Sequence, residues 1–295
     1  MAAGELTRRV AVAIVGIPTI ILLLYFGGWI LGVPVALLAA LGAGEVYDLA
    51  ETKGVRPLRL LGMAGAASLV LIAVALPGFA AFAPWAFGAV FSLAVGSLLL
   101  AMPARGSDQG PLGAVSATLF GVLYVAVPLA FAVLLHALPD RYGWGGPEAA
   151  PWVGALVVVL PLAATWIGDS AAYFVGTAFG RAKIAPSISP NKSWVGAMAG
   201  LVGSALAAGL WLLVARPFLP QIPAIGVGVA AAMGAIMGVG GQAGDFAESL
   251  LKREAGVKDS GTLFPGHGGV LDRLDALVFA LPAAYVLLIL VEVFA

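Results

Sequence analysis

The chain has 295 residues, 61% hydrophobic and 10% charged, with a mean hydropathy of +1.05. A soluble domain is about 45–50% apolar and about 25% charged, so a water-soluble fold and a disordered chain are both excluded. Its 15 Lys+Arg cancel 15 Asp+Glu, leaving no global field to draw in nucleic acid, and the lack of cysteine excludes disulfides, zinc clusters built on thiolates and thiol nucleophiles.

A membrane-spanning helix needs about 20 apolar residues. Apolar runs occupy 10–27, 29–50, 58–77, 80–102, 112–137, 152–178, 194–215, 222–250 and 274–294. They are continuous rather than alternating, which is the pattern of helices and not of strands. The expected fold is an all-α polytopic integral membrane protein of about nine transmembrane helices. Only Gly27 and Gly28 break the first two runs apart. Arg8 and Arg9 precede the first run as they would in a signal peptide, but no small-residue cleavage site follows, so it reads as an uncleaved span.

Alternating the connections between two faces puts 13 Lys and Arg on one side and only Arg141 and Arg216 on the other. Basic residues stay cytoplasmic, which predicts the N-terminus inside and the C-terminus outside. Charge is uneven along the chain as well. Residues 60–104 carry none, whereas 245–275 hold 10 of the 30 charged residues. The expectation is one integral domain over 1–295, with scaffold helices in 1–150 and catalytic helices and cytoplasmic loops in 151–295.

Three segments hold the polar groups. In the first, Asp169 lies within an apolar helix, where a charge needs a partner or a water-filled cavity. Gly168, Ala172, Gly176 and Gly180 recur every four residues there, a small-residue stripe that admits a second helix. The second segment, 181–193, reads as a loop, because Pro186 and Pro190 stop a helix. Its Arg181, Lys183, Lys192 and three serines suit phosphate oxygens, but composition alone favours ordinary positive-inside charge or contact with the anionic heads of membrane lipids.

The third segment is 245–275. On a helix, Asp245, Glu248, Ser249 and Lys252 share one face. A glycine-rich loop follows, and the next helix opens with Asp272 and Asp275, whose simplest role is to complement the helix dipole. Oxygen ligands without His or Cys clusters favour Mg²⁺ over zinc. Carboxylates, a hard metal ion and cations at one membrane face point to phosphoryl or nucleotidyl transfer. The glycines at 238, 240, 241 and 244 do not space as a nucleotide-binding loop and read as packing glycines.

The run Ser249, Lys252-Arg253, Lys258-Asp259, Gly261, Pro265, His267-Gly268-Gly269, Asp272-Arg273 and Asp275 resembles the signature of the phosphatidate cytidylyltransferases, or CDP-diacylglycerol synthases. Gly244-Asp245 and the serine loop Ser187–Ser193 resemble family segments too, and the resemblance extends over 165–280. Asn191 and Val195 depart from the Lys and Glu that relatives often carry.

The resemblance implies that CTP and phosphatidate react to CDP-diacylglycerol and pyrophosphate, with one or two Mg²⁺ ions. It implies Asp245 and Asp272 as metal ligands, with Asp169 completing or supporting the site. Lys192, Lys258 and His267 would face the CTP phosphates, with Ser189 and Ser249 beside them. Lys252, Arg253 and Arg273 would hold the phosphatidate head, Asp259 and Asp275 would orient these cations, and the amides of Gly268 and Gly269 would approach a phosphate. The compact length without a targeting extension favours a bacterial inner membrane, and the basic face puts the active site on the cytoplasmic side. The stripes suit a homodimer as well as packing within one chain.

A transporter or channel is the alternative, since it too places polar residues at membrane depth. It predicts paired interruptions in both halves, whereas here the polar groups sit in one. A lipid-binding protein would not need Asp169, Asp245 and Asp272 together. The D-G-x-x-A-R pattern of enzymes that transfer the phosphatidyl group is absent.

Overall fold

A computed structural model describes residues 3–104, 109–263 and 268–294. Helices α1 (Ala3–Phe26) and α2 (Gly28–Glu51) are broken where the sequence breaks, with Gly27 at φ 59° and Gly28 at φ 48°. Such left-handed backbone favours glycine, and a side chain there would be strained. Next come α3 (Arg59–Ala75), α4 (Phe79–Ala104) and a continuous helical run of α5 (Pro111–Gly121), a π-helical turn (Val122–Ala126) and α6 (Val127–His136). A short α7 (Leu138–Tyr142) leads to α8 (Val153–Phe179). Beyond the hairpin β1 (Lys183–Ala185) and β2 (Ser189–Ser193) lie α9 (Trp194–Ala215), α10 (Val227–Ala255), α11 (Leu271–Leu274) and α12 (Leu277–Phe294).

Among the described residues, seven helices are long and apolar enough to cross a membrane: Gly28–Glu51, Phe79–Pro103, Pro111–His136, Val153–Phe179, Trp194–Ala215, Val227–Ala255 and Leu271–Phe294. Two further apolar helices, Ile14–Phe26 and Arg59–Ala75, are shorter. The segment 181–193, expected as a loop, is an antiparallel hairpin pairing Lys183 with Ser193 and Ala185 with Ser189. Pro186 falls in its turn, and the free edges of a two-stranded ribbon tolerate Pro190.

The chain forms two compact units. One comprises the residues to Leu134 together with Leu251–Leu274. Its centre is α2, where Ala39, Ala43 and Tyr47 are fully buried. The Tyr47 hydroxyl donates to Thr118 O at 2.8 Å, and its ring lies where a side chain at Gly62 or Gly121 would stand. Those two glycines are therefore small because tyrosine fills the space, an instance of close packing deciding residue size.

The other unit comprises Leu135–Leu250 and Asp275–Ala295. Here the small-residue stripe packs α8 against α9 inside the chain. A Cβ on Gly168 would collide with Ser204 Oγ, and one on Gly176 would stand 3.3 Å from the Gly196 Cα. Ser204 Oγ, buried between these helices, donates to Ala164 O at 2.8 Å, so its hydroxyl is satisfied. Gly234 and Gly238 of α10 abut the same serine, and Gly240 and Gly241 pack on Phe279 and Ala276. These are packing glycines, as expected. Far along α12, Glu292 accepts from Trp144 Nε1 at 2.7 Å.

Candidate active site

In the unit containing α8, α9 and most of α10, the sequence builds a cavity with charged groups on its wall. Ser193 ends β2 in extended conformation and caps α9, its Oγ accepting from Gly196 N at 3.2 Å. The strand residue before it, Lys192, is thereby fixed at the helix mouth. Its Nζ pairs with Asp245 Oδ2 at 2.6 Å and lies 4.0 Å from the centroid of the Phe246 ring. Ser249 Oγ, one turn along α10, lies 3.3 Å from Asp245 Oδ1.

Gly244 explains how Asp245 reaches this place. A side chain at 244 would strike the carbonyl of Asp275, so glycine lets α10 pass that residue at backbone contact. Asp245, Glu248 and Asp275 consequently offer one carboxylate oxygen each within 4.8 Å of one another. Glu248 is 1% exposed. Asp275 Oδ1 also accepts from Ala276 N at 2.7 Å. Three carboxylates this close repel one another unless cations intervene, and Lys192 supplies one positive charge.

The cavity beside them measures about 710 Å³. Asp169, Lys192 and Asp245 line it together, with Tyr173, Thr177, Asn191 and Gln242. Gln242 is held by its own Nε2, which donates to Ala197 O at 3.0 Å. An apolar span thus carries Asp169 on the wall of a cavity that also presents Lys192, Asn191 and Gln242, the polar company such a charge requires. The room, the cation and the oxygen donors suit a polyphosphate.

The remaining residues of the signature lie in the other unit. Gly256 ends α10 at φ 76° in a Schellman motif: Val257 N donates to Lys252 O at 2.9 Å and Gly256 N to Arg253 O at 3.1 Å. Lys252 Nζ pairs with Asp272 Oδ1 at 2.6 Å, both side chains being largely buried. Asp272 Oδ2 accepts from Gly269 N at 2.8 Å, Ser260 N at 2.9 Å and Ser260 Oγ at 3.0 Å. The amide of Gly269, expected to meet a phosphate, therefore meets Asp272. Gly268, at φ 80°, leaves the space that the Asp272 carboxylate fills.

Arg253, Lys258, Asp259 and Arg273 are exposed, and Ser189 is half-buried at the start of β2. His267 lies outside the described residues. Two residues enter that the sequence did not single out as site groups. Glu248 joins Asp245 and Asp275, and its position on the polar face of α10 was the signal for it. Glu45 on α2 accepts from Ser260 Oγ, Val270 N and Leu271 N; an acid within an apolar run, three residues before Asp48, was the only hint.

Residues 7–291 match the Cytidylyltransferase family. The chain is similar to the phosphatidate cytidylyltransferase of Synechocystis sp., 33% identical, covering 96% of this chain and 97% of that protein. It is 32% identical to the phosphatidate cytidylyltransferase of Chlamydia pneumoniae, covering 98% of this chain and 94% of the relative. A shorter match, 41% identical over 47% of this chain and 51% of the relative, is to the phosphatidate cytidylyltransferase of Thermotoga maritima.

Proposed function

This chain belongs to the cytidylyltransferase family, and we propose that it transfers the cytidylyl group of CTP to phosphatidate at a membrane surface. A phosphate oxygen of phosphatidate attacks the α-phosphorus of CTP. A new P–O bond forms, the bond to the β-phosphate oxygen breaks, and pyrophosphate leaves. The nucleophile is already anionic, so no strong base is needed. The main barrier is the approach of two polyanions, and cations lower it.

The observation that carries this reading is the cavity in which Lys192 faces Asp245 at 2.6 Å beside Glu248 and Asp275. Hard carboxylate oxygens without His or Cys suit Mg²⁺, and we assign its binding to Asp245, Glu248 and Asp275. When bound, Mg²⁺ would neutralise the phosphate charge of CTP. Lys192 then faces those phosphates, and Asp169 and Gln242 shape the wall around the nucleotide.

Asp272, expected as a metal ligand, has both oxygens engaged by Lys252, Ser260 and Gly269. In our reading it orients Lys252, which with the exposed Arg253 and Arg273 holds the phosphatidate head. We retain Lys258 as a contact for the CTP phosphates and assign nine spans, with the N-terminus and the active site on the cytoplasmic side of a cell membrane.

The test is incubation of the detergent-solubilised protein with phosphatidate, Mg²⁺ and α-³²P-labelled CTP, with Asp245→Asn and Asp272→Asn alongside. Label should enter the organic phase as a liponucleotide, and chelation of Mg²⁺ or Asp245→Asn should abolish it. Folded wild-type protein that transfers no label would overturn the proposal. Normal Mg²⁺-dependent turnover in Asp245→Asn would overturn the metal assignment alone.

A further inference from the structure

Glu45 is a buried carboxylate to which the chemistry above gives no task. It stands on α2 at 8% exposure. Its Oε1 accepts from Val270 N at 2.7 Å, and its Oε2 from Leu271 N at 2.9 Å and Ser260 Oγ at 2.7 Å. The same serine hydroxyl lies 3.0 Å from Asp272 Oδ2. Glycines make room for the carboxylate: a Cβ at Gly261 would stand 2.5 Å from Oε1, and one at Gly269 would collide with both oxygens.

A carboxylate is costly to bury unless donors meet its charge. Every donor described for Glu45 comes from the segment between Ser260 and Leu271. Ser260, Val270 and Leu271 meet the charge where they stand, and Ser260, with Gly269 next to Val270, also donates to Asp272. Asp272 in turn fixes Lys252 at 2.6 Å. The chain of contacts therefore runs from α2 through one loop to a cation of the signature.

We propose that Glu45 is a positioning residue for cytidylyl transfer, acting through Ser260 and the amides of Val270 and Leu271 to hold Asp272 and Lys252 in place. The inference rests on the reading above that this chain transfers the cytidylyl group. Alignment of reacting groups is steep in distance, whereas attraction between cations and bound phosphates falls off slowly. Loss of Glu45 should therefore lower kcat more than it raises KM.

The experiment compares full-length wild type with Glu45→Gln. One arm measures kcat and KM for both substrates. The other measures backbone hydrogen exchange. Glutamine keeps the shape and one acceptor oxygen, but it loses the charge and turns an amide NH2 donor toward a backbone N–H. The expected result is a kcat lower by about 10- to 100-fold with KM within about threefold. Exchange should quicken in peptides covering 257–274 and stay unchanged in α3 and α9.

Wild-type kcat in the variant overturns the inference. So does lost activity with exchange quickened throughout, which marks a residue that only supports the fold. Should Glu45→Gln fail to fold, Ser260→Ala is read by the same two arms and the same criteria. A wild type that makes no liponucleotide overturns the functional reading and this inference together, whereas an active wild type beside an unaffected variant overturns this inference alone.

Discussion

Replacing Lys192 by Met keeps the aliphatic stem and removes the charge. Its Nζ lies 2.6 Å from Asp245 Oδ2, with the two side chains 24% and 34% exposed. At an effective dielectric constant of about 20, unit charges at that separation attract by about 6 kcal/mol gross. Desolvation and water access cancel most of this, and about 1–3 kcal/mol remains. The variant should melt a few degrees lower. The effect on metal binding has the opposite sign. A Mg²⁺ about 2.1 Å from a carboxylate oxygen would stand within about 5 Å of Nζ. Even at the dielectric constant of water, about 80, their repulsion is about 1.7 kcal/mol. Mg²⁺ half-saturation should therefore fall at least about tenfold in Lys192→Met. Turnover moves the other way: kcat/KM for CTP should drop by about 10²- to 10³-fold, as when one preorganised transition-state contact is removed. Thermal unfolding followed by tryptophan fluorescence across a Mg²⁺ titration reads the first effect, and label transfer from CTP reads the second. A Mg²⁺ midpoint unchanged or weakened in the variant, or turnover within about threefold of wild type, would refute the placement of metal and nucleotide beside Lys192.

Asp275→Asn should leave the protein folded but abolish Mg²⁺-dependent label transfer; transfer at the wild-type Mg²⁺ optimum would remove Asp275 from the metal set. Gly168→Ala drives a methyl group into Ser204 Oγ, and overpacking of this kind costs about 1–3 kcal/mol, so its thermal midpoint should fall, with Gly16→Ala, where a Cβ meets open space, as the unaffected control. Trp144→Phe removes the donor to Glu292 and should destabilise by about 1.5–3 kcal/mol while kcat stays near wild type, because both residues lie outside the candidate site. A reporter fused after Ala295 should register the outer side of the membrane, and a cytoplasmic signal would refute the odd number of spans.

The helices were legible because the bilayer imposes one length and one polarity on each. The run 194–215 coincides with α9, and the Gly27–Gly28 break is where α1 ends and α2 begins. The hairpin was not legible. Ser189-Pro-Asn-Lys-Ser193 carries no β-branched or aromatic residue to mark a strand, and its pairing depends on the ends of α8 and α9. Nor was the π turn at Val122–Ala126, whose residues would sit equally well in an α-helix. In the site, Asp169 could be picked out as a charge in an apolar helix, Lys192 as a cation of the serine loop and Asp245 as an acid on the polar face of its helix, and the structure lines one cavity with them. Glu45 escaped because its partners lie 215 to 226 positions away, and periodicity within a helix says nothing about so distant a loop.

The groove around Ser204 bears on how the protein enters its membrane. Helix α10 is the least apolar of the seven long helices: six glycines and Gln242 dilute residues 227–244, and its last turns carry Asp245, Glu248, Lys252, Arg253 and Glu254. An aliphatic residue gains only a few tenths of a kcal/mol on insertion, and a span so rich in glycine has few such residues to set against the charges at its end. Such a segment is a poor candidate for insertion on its own. Gly234 and Gly238, however, leave space that Ser204, Leu201 and Ala208 of α9 enter, and α9 emerges from the ribosome first. The docking surface for the weakest span is thus already made when that span is synthesised, so the order of the sequence becomes an order of assembly.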